Sequence, residues 1–215
     1  MKVALVGASG FVGKAILNEL LSRGHQVTAV LRNPSAIEVQ EGLQLIQGDV
    51  TDTAGFTKAI EGQDAVISAF NAGWQNPNLY QDFLEGSRLI QSAVKQAGVK
   101  RLIVVGGAGS LYIDGKQLVD APEFPAEWKP GATAARDYLQ ELKNETELDW
   151  VFVSPAIEMH PGTSGQRKGQ YRIGADNPVF DEQGKSVISV EDLAMAIVDE
   201  LEQAAHHQAR FTVAY

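Results

Sequence analysis

Val3-Ala4-Leu5-Val6-Gly7-Ala8-Ser9-Gly10-Phe11-Val12-Gly13 is the stretch on which the fold turns. Four apolar residues running into a glycine predict a short strand buried on both faces, as in a parallel sheet. The residues beyond predict a helix over Phe11–Arg23, with Val12, Ile16 and Leu20 at helical spacing and Gly24 as its stop. Three glycines divide the work between them. Gly7 allows a tight turn, Gly10 lets the backbone approach a pyrophosphate, and Gly13 lets the helix pack closely on the strand. The first two stand one residue further apart than in the standard fingerprint, a variant the same roles tolerate. The helix start offers unpaired N–H groups and a positive dipole end to phosphate, so Gly7, Ser9, Gly10, Phe11, Val12 and Gly13 are read as a dinucleotide-binding loop. The alternative is that the glycines only shape a turn.

Outward from the loop the pattern repeats. Val27–Leu31, Leu43–Ile46, Ala65–Ile67 and Leu102–Val105 are further short, mostly apolar runs, and Leu79–Ala97 is a second amphipathic helix ending at Gly98. Strand-helix alternation at this spacing predicts βαβ units with right-handed crossovers. The second half is less regular. Asp114–Gly131 holds Pro122, Pro125 and Pro130 and predicts an irregular excursion. A helix over Thr133–Thr146 and a strand over Trp150–Val153 follow; Gly162–Lys185, with five glycines, predicts a small lobe of loops and short strands. Ser189 and Asp192 make a capping-box-like start to a last helix, and Arg210–Val213 is expected to close the sheet. The fold expected is α/β, a Rossmann-like doubly wound parallel sheet in one domain over residues 1–215. It carries a small substrate-side elaboration at about 109–131 and 156–189.

The chain has 215 residues, 44% of them hydrophobic and 21% charged, the composition of a soluble globular protein. A domain of that length buries roughly 70% of its unfolded surface. Acids outnumber bases 27 to 18, a net charge of −9 that repels phosphate backbones, so no nucleic-acid partner is expected. With no cysteine, disulfides, thiolate metal sites and cysteine nucleophiles are excluded. The opening Met1-Lys2 runs into a strand without a signal-peptide layout, and no apolar stretch nears the ~18 residues of a membrane span. A cytoplasmic protein without a membrane partner is the expectation, and the sequon Asn144-Glu145-Thr146 then has no meaning.

The end of the second strand chooses the nucleotide. Proteins that prefer NAD place an acid there for the ribose 2′-hydroxyl. Here no acid occurs between Glu19 and Glu38, and the strand ends in Arg32-Asn33. A guanidinium suits a 2′-phosphate, so NADP(H) is expected over NAD(H), unless Arg32 is simply a surface arginine. Asp49-Val50 follows the third strand, where a carboxylate can accept from an adenine amino group or else cap a helix, a job for which Asp52 competes. Ala69-Phe70-Asn71 should line the middle of the cofactor. Gly106-Gly107, and beyond the sixth strand Pro155-Ala156, should flank its nicotinamide end, at carboxyl ends of strands where open sheets bind ligands.

GASGFVG, LRNP, GDV and AVISAFNAG, in that order, resemble the landmarks of the atypical short-chain dehydrogenase/reductase superfamily. VVGGAGSL, APEFPAEWKPGA, DWVFVSPAIEMHPG, ISVEDLAMAIVDELEQ and RFTVAY are similar to the small bacterial NAD(P)-binding proteins of the NADH-flavin reductase group, so the resemblance covers nearly the whole chain. Biliverdin reductase B, itself a flavin reductase, and the NmrA-like redox sensors are more distant relatives. The resemblance implies a Rossmann-like fold and a dinucleotide cofactor.

The wider superfamily works with a helical Tyr-x-x-x-Lys pair and a serine after the fifth strand, the tyrosine moving a proton at the substrate oxygen. Tyr112 and Lys116 have that spacing, but Gly115 and the prolines beyond argue against a helix there. Tyr138 lies in the appropriate helix, with Leu142 four residues on and Lys143 one place late; the serine position is Ala108, with Ser110 two places away. Reducing a ketone creates an alkoxide that needs an acid. A flavin or quinone is an electron-poor ring with delocalised charge, and proximity to a nicotinamide suffices. The partner expected is therefore a small planar acceptor, with FMN or FAD a substrate and not a bound prosthetic group. Trp74 and Trp128 are candidate walls for such a ring, or else pack the loops. Glu158 and His160 are the nearby groups able to manage a proton, beside Ser110; His160 reads equally as a loop residue. His206-His207 reads as polar surface, and no metal site is expected. Two further readings share these residues: a non-catalytic NADP(H)-binding redox sensor acting through a protein partner, and a nucleotide-sugar epimerase, which needs the same tyrosine and a larger substrate domain.

Overall fold

A computed structural model describes residues 1–215. Its elements in chain order are β1 (Lys2–Val6), α1 (Phe11–Ser22), β2 (Gln26–Leu31), β3 (Leu43–Gln47), α2 (Thr53–Ala59), β4 (Ala65–Ser68), α3 (Leu79–Gln96), β5 (Arg101–Val105), β6 (Tyr112–Ile113), β7 (Lys116–Gln117), α4 (Lys129–Leu142), β8 (Asp149–Ser154), β9 (Arg172–Gly174), α5 (Val190–Gln203) and β10 (Ala209–Ala214). Eight strands form one sheet in the order β3-β2-β1-β4-β5-β8-β10-β9, and β6 and β7 make a separate hairpin. Every pairing in the large sheet is parallel except β10 with β9. The strand order reverses between β1 and β4, and it is at such a reversal that a crevice opens above the carboxyl ends. This is the doubly wound, Rossmann-like sheet expected from the alternation.

The two-residue period of the strands sorts the core. In β1, Val3 and Leu5 join Ile16, Leu20, Leu193 and Ile197 under α1 and α5. Ala4 and Val6 join Phe83, Ile90, Leu139 and Leu142 under α3 and α4. Both faces of a central strand are thus buried, which is why it reads as a continuous apolar run rather than an alternating one.

The structure amends four expectations. Arg210–Val213 does not close the sheet, because antiparallel β9, from the Gly162–Lys185 lobe, lies outside it. The irregular excursion stops at Trp128; α4 begins at Lys129, with Pro130 in its first turn, where the missing N–H has no helical partner to lose. That helix ends at Leu142, short of Thr146. The capping box at α5 is half formed: the Ser189 hydroxyl accepts from the Asp192 N–H at 3.1 Å, but the Ser189 N–H goes to the Tyr215 hydroxyl. Asp192 is fully buried and holds the lobe instead, accepting from the N–H groups of Lys168 at 2.7 Å and Gly169 at 3.0 Å.

Candidate functional site

The glycine loop is built by contacts that no side chain could share. Gly7 has φ +80°, and a Cβ there would lie 2.3 Å from the carbonyl oxygen of Ala69, just past β4. A Cβ on Gly13 would lie 2.0 Å from the carbonyl oxygen of Gly7, so the helix rests directly on the turn. Gly10 donates its N–H to Gly7 at 3.0 Å and starts α1 without any side-chain cap or acid in the first turn. The first helical bond is Lys14 to Gly10, which leaves the N–H groups of Phe11, Val12 and Gly13 without protein acceptors. An uncapped helix start beside exposed Ser9 and Gly10 fits an anionic pyrophosphate.

Arg32 and Asn33 leave β2 exposed at the same end of the sheet. Asn33 accepts from the Ser35 N–H and caps the turn Pro34–Ala36. The structure divides the two acids after β3. Asp52 caps α2 through the Gly55 N–H at 3.1 Å, whereas Asp49 accepts from the N–H and hydroxyl of Thr51 at 2.9 and 2.8 Å. Those bonds, with Arg32 nearby, hold the Asp49 carboxyl below its ordinary range against partial burial. Val50 packs on the core beneath α3 and α4.

Past β4, the Phe70 ring turns away into α3. It tilts against Phe83 with ring centres 6.1 Å apart and fills the notch at Gly86, so only its backbone is free to line the crevice. Asn71 is exposed and accepts from the Gly73 N–H. Past β5, a Cβ on Gly106 would lie 2.0 Å from the Phe152 ring, while one on Gly107 would meet no atom closer than 3.9 Å. The fold therefore requires glycine at 106 and leaves 107 open to a close-lying ligand. Pro155 and Ala156 are buried beneath β8's end.

Four of the exposed large apolar side chains, Phe11, Trp74, Trp128 and Ile157, leave the loops at the carboxyl end of the sheet. Trp74 is 59% exposed yet lies against Gly131 in the first turn of α4, and Trp128 precedes that turn.

The polar candidates are placed less centrally. Ser110 is 1% exposed; its hydroxyl donates to the Gly107 carbonyl at 3.2 Å, lies 3.3 Å from Ser154, and accepts from Arg210 at 3.2 Å. Bound on three sides, its hydroxyl is engaged inside the protein. Glu158 is exposed, and its backbone pairs with Ser186 and Ile188. His160 accepts the Gly162 N–H on Nδ1 and caps the turn Pro161–Thr163. Tyr112 and Lys116 lie on opposite strands of a hairpin whose turn is Asp114-Gly115, both at positive φ, and not on a helix. Tyr138 is buried between α3 and α4, donates to Gln91 at 3.2 Å, and is pushed well up by burial and by Glu141 and Glu145. His206 is not polar surface: its ring stacks on Phe211 and Nδ1 pairs with Glu200 at 2.7 Å, while His207 beside it is exposed. What sequence reasoning missed is Arg210 with Asp176, whose one signal was an arginine inside an apolar strand.

No helix is long and apolar enough to cross a membrane. The sequence model described as NAD(P)H-binding matches residues 7–204. The Bacillus subtilis protein YwnB is 40% identical over 216 residues, covering 99% of this chain and 98% of its own. A Bacteroides thetaiotaomicron structure described as a "putative epimerase" is 46% identical with TM-score 0.91, over 100% of this chain and 96% of that one. A Streptococcus pneumoniae structure described as a "putative NADH-flavin reductase" is 38% identical with TM-score 0.87, over 100% and 99%. The match to cinnamoyl-CoA reductase 1 of Oryza sativa is 29% identical and spans only 38% of that longer protein.

Proposed function

This chain belongs to the NAD(P)H-binding family, and from that premise we propose that it is an NADP(H)-dependent oxidoreductase passing hydride to a flavin- or quinone-type acceptor. One observation carries the reading: Phe11, Trp74, Trp128 and Ile157 are exposed near the carboxyl end of the sheet, while the hydroxyls of Ser110 and Tyr138 are engaged inside the protein. Exposed apolar side chains, with those two hydroxyls withdrawn, suit a planar ring that needs no acid at the moment of transfer.

The residues have separate tasks. The N–H groups of Phe11, Val12 and Gly13 hold pyrophosphate, and Arg32 with Asn33 takes a 2′-phosphate. Asp49 and Val50 receive the adenine, and Ala69, the Phe70 backbone and Asn71 line the middle. Gly106, Gly107, Pro155 and Ala156 flank the nicotinamide, which when bound supplies the hydride. Trp74 and Trp128 orient the acceptor and exclude water, and Glu158 stands where a proton can be exchanged with solvent. FMN or FAD enters as substrate. A cytoplasmic setting accords with a chain free of cysteine.

The test is anaerobic reduction of FMN, and separately of a quinone, by NADPH with purified protein, followed by bleaching of the acceptor. Saturable reduction well above the uncatalysed rate is expected. Tight NADPH binding with no acceleration for either acceptor would instead support the redox-sensor reading.

A further inference from the structure

Along β10, Phe211 and Val213 face the core under α1 and α5, which turns Arg210 and Thr212 to the opposite face. Over β4, β5 and β8 that face is covered by the apolar sides of α3 and α4. Above Arg210 the contacts are polar instead. Its guanidinium, with the side chain 2% exposed, donates from Nη1 to the Ser110 carbonyl at 3.3 Å and hydroxyl at 3.2 Å. From Nε it donates to Asp176 at 2.9 Å, and Nη2 bonds the same carboxylate. Ser154 is fully buried alongside, and the Thr212 hydroxyl is buried with no partner. Asp176 also accepts the Tyr112 N–H on its carbonyl at 2.9 Å, and Asn177 donates to the Tyr112 carbonyl at 2.8 Å. One buried arginine therefore joins the segment that leaves β5, the β6–β7 hairpin and the lobe that carries β9.

A buried charge with a single, largely exposed carboxylate partner is a poor device for stability, since its desolvation is only partly compensated. Its geometry does something else. Ser110 returns a hydrogen bond to Gly107, so the guanidinium fixes where Gly107 lies at the end of β5. We infer that Arg210 is a positioning residue for the acceptor: by clamping Ser110 to Asp176 it holds the Gly107–Ser110 turn and the hairpin in one arrangement over the nicotinamide end of the crevice. The inference rests on the reductase reading for its kinetic consequence. The clamp itself does not. The dinucleotide's pyrophosphate and adenosine sites lie on β1, β2 and β3 and do not touch it.

The experiment compares Arg210→Met, Arg210→Lys and Asp176→Asn with the parent protein. In Arg210→Met the NADPH dissociation constant is expected to stay within about twofold, while acceptor kcat/KM falls by roughly tenfold to a hundredfold, the scale of ångström misplacement. Amide hydrogen exchange is expected to accelerate over 107–118 and 174–177 and to remain unchanged in β1 and α1. Arg210→Lys, which keeps the charge without the fork, should recover part of the loss, and Asp176→Asn should show the same pattern more weakly. Unchanged kinetics and exchange would overturn the inference, as would a parallel loss of NADPH binding and protection throughout the sheet. If the parent reduces no acceptor, the reductase reading fails and exchange alone decides: faster exchange confined to those two segments supports the clamp, and undisturbed exchange overturns it. Should Arg210→Met not fold, Asp176→Asn carries the same comparisons.

Discussion

A methyl group at Gly13 would sit 2.0 Å from a backbone oxygen, whereas one at Gly10 meets the same oxygen at 3.3 Å. The two positions separate folding from binding. Gly13→Ala must push helix and turn apart, and is expected to cost about 1–3 kcal/mol of stability as well as dinucleotide affinity. Gly10→Ala should lose less stability than Gly13→Ala, its added methyl being tight but not overlapping, while it loses affinity as well. Thermal melts beside a fluorescence titration with NADPH check both, and equal melting losses would contradict the assignment. Arg32→Ala belongs to the same scale: it should weaken NADPH by roughly 1.5–3 kcal/mol, the worth of charged hydrogen bonds, and NADH little. Equal loss of both nucleotides would make Arg32 structural. This loop was legible because the contact between Gly7 and Gly13 is made across a single turn, although Gly7 also rests on Ala69 past β4. Phe70 was not, because which way its ring points depends on Gly86, a helix away.

Elements were legible where period and punctuation agree, as in α1, α3 and the first five strands of the parallel sheet. They blurred where a residue type has two meanings. Pro130 reads as a breaker in a run of prolines, yet inside the first turn of α4 it costs nothing. Helix α2 has only seven residues, too few for periodicity to announce, and depends on its cap. Asp52→Ala should therefore destabilise the protein by about 1 kcal/mol, readable as a shift of the urea midpoint at unchanged slope. No such shift would mean that packing of Phe56 alone holds the helix. Strand β9 was legible only as one of the short strands expected in the Gly162–Lys185 lobe, not by position: its three residues are Arg, Ile and Gly, and only the register against β10 makes them a strand.

At the scale of the molecule, the contacts that sequence could not show join distant segments, as Arg210 joins Ser110 across 100 residues. Glu145 is another. Burial pushes its carboxyl up, but the Glu147 N–H, the Gln91 amide and Lys95 outweigh that and bring it from 4.5 down to about 2. A carboxylate whose value is depressed on folding contributes stability above its unfolded value and loses it as pH falls. Stability should thus decline between pH 4.5 and about 2, and Glu145→Gln should flatten that decline in urea midpoints taken across the range. An identical acid profile in the variant would remove Glu145 from the account. Glu19 acts in the same direction, where Arg167 and Arg23 overcome its burial.

The placement of β9 has a colloidal consequence. Strand β10 runs six residues, Ala-Arg-Phe-Thr-Val-Ala, five of them buried. Without its short antiparallel neighbour it would present a long row of unpaired peptide groups, a template onto which another copy could add. Three residues, two of them exposed, cover Thr212–Ala214 of that row and leave a short outer edge in its place. At this edge of the sheet, the lobe that carries β9 leaves another copy only a three-residue strand to extend.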